Sequence, residues 1–192
     1  WDRTGLGREV VYAKLAYYTI DTRSLTYSAD SVMFYHGGYF KKFLQGRLED
    51  KAMVDVNPKN ATFPKFSMYR GSQVYINLFK NIEFFGGFSL QGARVLGTPA
   101  SDGYARIEIK HNSKPFRSLK STEFAIMPDK FVSANASVLI FIENDSIFHP
   151  AIRVQYNLAN DELMMSRGEE GLGQSPFFNS YHRLDMYNEA VY

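Results

Sequence analysis

Ala105-Arg106-Ile107-Glu108-Ile109-Lys110 places an apolar side chain at every second position and a charge at each position between. Side chains of an extended chain point alternately to opposite faces, so this stretch reads as a strand with one dry and one wet face. Ile152-Arg153-Val154-Gln155-Tyr156-Asn157-Leu158 repeats the pattern with the same phase. A helix would need apolar spacing of three and four, which neither stretch has.

Working outward, Val138-Leu139-Ile140-Phe141-Ile142 and Val74 to Phe79 are apolar at successive positions, which predicts strands covered on both faces. Leu25, Tyr27 and Ala29 share one phase while Val32 and Phe34 take the other, so a bulge or tight bend is expected at Asp30-Ser31. Glu9 to Tyr18 reads as strand, and Phe40 to Leu48, interrupted by Gly46, as strand or turn. Turn chemistry falls at Gly37-Gly38, Asn57-Pro58, Gly86-Gly87, Asp102-Gly103, Asn112-Ser113, Pro128-Asp129, Asn160-Asp161 and from Gly168 to Pro176. The turn at Asn160-Asp161 joins the Ile152 strand to Leu163-Met164-Met165 as a hairpin. About ten to twelve strands follow from this spacing. The class is all-β with little helix, a sandwich or jelly roll or a solenoid-like stack. No linker breaks the chain, which reads as one β-rich domain or segment over residues 1–192.

Composition agrees. Sixteen Phe and thirteen Tyr in 192 residues suit a pleated surface on which flat rings pack. A chain of this length buries roughly 70% of the surface its unfolded form exposes, enough for a core without staples. There is no Cys, which removes thiol catalysis, thiolate metal sites and disulfides. A net charge of +2, with scattered basic residues, gives no footprint for nucleic acid. The longest uncharged apolar stretch, Phe131 to Ile142, falls short of the roughly 18 residues a transmembrane helix requires. The chain opens on Trp1 and closes within Ala190-Val191-Tyr192, so both ends are expected to run on into further structure.

Three groups carry residue types used in catalysis or binding. Asn144-Asp145-Ser146-Ile147-Phe148-His149-Pro150 holds an acid, a hydroxyl and an imidazole, which a nucleophile and its base would require within hydrogen-bond reach. The alternative is a turn in which Asp145 caps backbone N–H groups and Pro150 keeps His149 extended. Tyr181-His182-Arg183 could supply a base and a carboxylate-neutralising cation to a uronic acid, provided a turn brings them to one side. Otherwise they cap an edge strand or short helix. Arg167-Gly168-Glu169-Glu170-Gly171-Leu172-Gly173 is a glycine-rich acidic loop without the further oxygens that calcium demands. His36, His111, His149 and His182 have no short metal-ligand spacing, so no metal or cofactor is expected. Tyr17, Tyr18, Tyr39 and Tyr104 could stack on sugar rings if they share a surface.

Phe85-Gly86-Gly87-Phe88-Ser89-Leu90-Gln91-Gly92, Asp145-Ser146-Ile147-Phe148-His149-Pro150 and Gln174-Ser175-Pro176-Phe177-Phe178-Asn179-Ser180-Tyr181-His182 resemble very large, uncharacterised β-rich envelope proteins of Bacteroidota. The resemblance covers most of the chain from Pro64 onward. It implies export to the periplasm or cell surface and a modular, non-catalytic part, and it assigns no catalytic residue. The expected partners are neighbouring domains of the parent chain or other envelope proteins. A carbohydrate-binding β-sandwich, a polysaccharide lyase or hydrolase using Asp145, His149, Tyr181, His182 or Arg183, and a segment of an outer-membrane barrel stand as alternatives. In the last, the charged faces of Ala105 to Lys110 and Ile152 to Leu158 would line a lumen.

Overall fold

The computed structural model describes residues 1–52, 57, 60–168 and 171–192. Seventeen strands run through it: β1 (Val11–Leu15), β2 (Thr19–Asp21), β3 (Thr26–His36), β4 (Leu44–Lys51), β5 (Lys65–Met68), β6 (Val74–Phe79), β7 (Ile82–Gln91), β8 (Arg94–Thr98) and β9 (Ala105–His111), then β10 (Lys114–Ser121), β11 (Phe124–Ile126), β12 (Lys130–Ile142), β13 (Asp145–Asn157), β14 (Glu162–Ser166), β15 (Phe177–Asn179), β16 (Leu184–Met186) and β17 (Ala190–Val191). Helical structure among the described residues is limited to short 3₁₀ turns, including Asp2–Thr4 and Gly171–Gln174. The all-β expectation is met. The strand number is higher than the ten to twelve expected, for a specific reason. Several rows of the sheet are broken into two short strands lying end to end along one long neighbour. β5 and β6 both flank β7 on one side, and β8 and β9 flank it on the other. β10 and β11 flank β12, while β14 and β15 flank β13. β1 and β2 flank β3 in the same way.

All ladders are antiparallel and all strands belong to one sheet. Rows follow one another in chain order, so the fold is a meander without crossovers. The register puts residues of one phase on one face. Ala29, Leu48, Phe66, Leu90, Val95, Ile126, Phe131, Tyr156 and Leu163 lie opposite one another on successive strands and form a continuous apolar rib. A second rib runs Ile76, Phe84, Ile107, Leu119, Val138 and His149. These ribs run through a core in which seven Phe are fully buried, Phe66, Phe84 and Phe131 of them within the ribs. Each such ring contributes about 1.5–3 kcal/mol through burial.

The sheet curls over this face. β6 and β13 are five rows apart, roughly 24 Å along a flat sheet at 4.8 Å per row. Yet the rings of Phe79 and Tyr156 have centroids 5.4 Å apart. Only curvature brings them together. The opposite, convex face is wet and charged. Glu83 pairs there with Lys110 at 2.6 Å, and Arg106 with Glu108 at 3.4 Å. The charged faces of the Ala105 and Ile152 strands therefore point outward rather than into a lumen. That is the reverse of the apolar outer band a lipid-facing barrel requires.

Local expectations fare unevenly. The β3–β4 ladder skips from Ala29 opposite Leu48 to Val32 opposite Gly46, which places the bulge at Asp30-Ser31 as expected. Asn112 and Ser113 both have positive φ, 50° and 64°, in the two-residue turn between β9 and β10. Gly37-Gly38, Pro128-Asp129 and Asn160-Asp161 turn the chain, and Asp102-Gly103 lies in the bend before β9. Pro58 of the Asn57-Pro58 pair, and Glu169 and Glu170 of the acidic loop, lie outside the described residues. Gly86-Gly87 is no turn but the middle of β7. A Cβ on Gly86 would sit 2.6 Å from the Thr98 carbonyl oxygen, so glycine there serves close packing. Two-sided burial also fails: Tyr75, Phe141 and Ile142 are exposed. A single curled layer has only one inside, so Tyr75 and Phe141, out of phase with buried Val74 and Ile140, face outward, while Ile142 is exposed where β12 ends.

Candidate functional site

The sequence candidates meet at the last rows of the sheet. Ile142 pairs with Asp145 across a two-residue turn that starts β13. β15 lies along β13, with Ile147 opposite Asn179 and Phe148 opposite Phe178. That register sets Asp145 beside the turn from Ser180 to Arg183. The Ser180 hydroxyl donates to Asp145 Oδ1 and accepts the Ser146 N–H, each at 2.8 Å, while the Ser180 N–H donates to the Ser146 carbonyl at 3.0 Å. The Asp145 carboxylate thus pins the β15–β16 hairpin.

His149 is fully buried and occupies the final position of the second rib. Its Nδ1 accepts the Ala151 N–H at 3.2 Å, which leaves the proton on Nε2 to be donated to the Ser175 carbonyl at 2.8 Å. The ring packs on Phe177 at 4.8 Å. Burial pushes its proton affinity below the ordinary value; the Ser175 carbonyl opposes this and the Arg167 charge adds to it. A neutral imidazole with both nitrogens engaged cannot take a proton from a substrate. Asp145 lies four residues away on the same strand, roughly 13 Å at 3.3 Å per residue, so the two do not form a pair.

Tyr181, His182 and Arg183 do lie in a turn, which gathers them. Asn179 Oδ1 accepts the Tyr181 N–H at 3.0 Å and the His182 N–H at 3.4 Å, an Asx turn, and Arg183 has φ 51°. Tyr181 is 71% exposed and edge-on to His182. The turn brings Ser180 to Asp145 and Tyr181 to His182, but leaves His149 in the core. The four candidate sugar-stacking tyrosines do not share a platform. Tyr17 and Tyr18 lie between β1 and β2, Tyr104 precedes β9, and Tyr39 packs edge-on against His36. No group of three or more potential metal ligands occurs among the described residues.

Two features were not legible as sites. The first is the pair of sheet edges. Among the described residues β1 and β2 pair only with β3, β16 only with β15 and β17 only with β14. The inward row at the first edge is left partly bare: Leu15 is 37% exposed, Ile20 47% and Tyr27 37%. The second is a cavity of about 900 Å³ beyond the end of β3, walled by Leu78, Phe79, Val95, Ile126 and Met127 with His36, Tyr39 and Arg94. His36 is buried among Phe34, Tyr39 and Phe88, and burial pushes it down to about 4. Sequence reading singled out His36 and Tyr39 separately; only the turn at Gly37-Gly38, which folds one back on the other, hinted that they meet.

No protein-family model matches the chain, and no curated protein or solved structure matches it.

Proposed function

We propose that this chain is a non-catalytic structural and interaction module of an exported protein, held at the periplasm or cell surface. Its sheet is completed by strands from neighbouring segments of the parent chain or from another envelope protein. One observation carries this reading: the sheet curls over an apolar core yet, among the described residues, leaves both edges unpaired, with inward apolar residues bare at the β1–β2 edge. An unpaired edge presents a row of N–H and C=O groups that templates another strand. The residues with catalytic potential support the same reading, because Asp145 and His149 are engaged in holding the fold. Placement in the envelope rests on the sequence resemblance.

Light scattering on the purified chain over a range of concentrations tests the reading. Self-association and binding of an apolar dye are expected, both reduced by Ile20→Lys at the exposed edge. A monodisperse monomer that binds no dye refutes it.

A further inference from the structure

The cavity at the end of β3 has a chemistry that the fold itself does not use. Its volume, about 900 Å³, lies in the range of roughly 300–1,000 Å³ found for small-molecule sites. Leu6, Leu78, Phe79, Val95, Ile126 and Met127 line it and suit an apolar body. The functional side chains are donors. His36 Nδ1 accepts the Gly38 N–H at 3.3 Å, which places the ring proton on Nε2. Nε2 and the Tyr39 hydroxyl have no hydrogen-bond partner among the described residues. Arg94 has one ion partner there, Glu123, at 3.9 Å, with both side chains largely in water. Among the described residues no Asp or Glu lines the space and Arg94 provides the only formal charge; Asn60, Thr62 and Gln91 are neutral.

We propose that this cavity binds a small amphiphilic monoanion, an acyl or aromatic body carrying a carboxylate head. The head pairs with Arg94 at the rim and accepts from the Tyr39 hydroxyl and His36 Nε2, while the body lies against Phe79, Val95 and Ile126. A cationic head would meet the Arg94 guanidinium, whose carboxylate partner Glu123 lies outside the cavity lining and largely in water. A pure hydrocarbon would leave the donors unpaired in an apolar space, which is unfavourable. The site is independent of the sheet edges, and its occupancy does not depend on their pairing.

Isothermal titration calorimetry of the intact chain with sodium decanoate, acetate and decyltrimethylammonium tests the proposal. Decanoate is expected to bind at one site, with acetate and the ammonium amphiphile about tenfold weaker or more, since a hydrogen-bonded charge supplies roughly that factor. Arg94→Gln, on the exposed rim, is expected to weaken decanoate by about tenfold with an unchanged unfolding midpoint. Tyr39→Phe should weaken it by a smaller factor. Absence of binding below the micellar limit, several equivalent sites, equal affinity for the ammonium amphiphile, or an Arg94→Gln variant that binds as well as the parent would each overturn it.

Discussion

Replacing Gly97 by Ala tests how the core is packed. Gly97 lies in β8 opposite Phe88 and Phe124, and its missing side chain is filled by the ring of Phe84. An ideal Cβ there would overlap Phe84 Cε2 and lie 2.6 Å from Cζ and 3.2 Å from Ile126 Cδ1. Carbon contacts are relaxed at about 3.5–4.0 Å, so the ring must retreat by roughly 1 Å. It has little room, because Phe84 is fully buried and the Cβ position of Gly86 is 2.8 Å from the same Cζ. Gly97 is not among the residues with positive φ, so its backbone accepts Ala. In the absence of the ring, Ala would stabilise by about 0.4–1 kcal/mol through the unfolded chain. Overpacking costs about 1–3 kcal/mol and wins. For a chain of this size that lowers the midpoint by about 2–4 °C per kcal/mol. Urea unfolding of four proteins, the parent, Gly97→Ala, Phe84→Leu and the double variant, measures the coupling. The alanine should be costly with Phe84 present and close to neutral once Phe84→Leu has removed the ring. An equal cost in both backgrounds, or a more stable Gly97→Ala single variant, refutes the ring-on-glycine account.

Other outcomes follow from the same geometry. His36 sits at about 4 when folded against an ordinary 6.5, so the unfolded chain binds the extra proton. The stability this gives is complete above 6.5 and is lost as pH falls towards 4, amounting to about 2 kcal/mol at pH 5; urea midpoints against pH should flatten in His36→Phe. His149 is lowered in the same direction and adds to the slope. Ser180→Ala removes two side-chain hydrogen bonds and should cost about 1–2 kcal/mol, with hydrogen exchange rising in β15 and β16 and not in β7. His149→Leu should fold but leave the Ser175 carbonyl unpaired, at a cost of about 1–3 kcal/mol by urea unfolding.

The alternating stretches disclosed the strands because their period is a direct image of a sheet with one dry face. Ala105 to Lys110 and Ile152 to Asn157 lie in β9 and β13 with the expected sides inward. The phase slip at Asp30-Ser31 disclosed the bulge for the same reason. The interruptions stayed hidden. Gly71, at φ 84°, breaks the row between β5 and β6, and nothing in the order of residues shows that the two strands share β7 as a neighbour. Gly86-Gly87 carries the composition of a turn, and its role depends on Thr98 and Phe84, which sequence order does not place beside it. Glycine marks both a reversal and a close approach, and only the partner across the sheet distinguishes them.

The candidate site was harder to read because a buried polar residue and a reactive one share a local signature. Asp-Ser-x-x-His-Pro resembles a fragment of catalytic machinery until the register puts His149 at the end of a rib of Ile76, Phe84, Ile107, Leu119 and Val138. There it takes the place of an apolar side chain and satisfies a carbonyl, as a core histidine must. His36 resembles it, buried among aromatic rings with Nδ1 taking a backbone N–H two residues on. The difference lies in the second nitrogen. His149 Nε2 ends on the Ser175 carbonyl, whereas His36 Nε2 has no protein partner among the described residues and the ring forms part of a cavity wall. An imidazole whose hydrogen bonds are complete is an element of the fold; one with a donor to spare at the edge of an apolar space is where a ligand has something to meet.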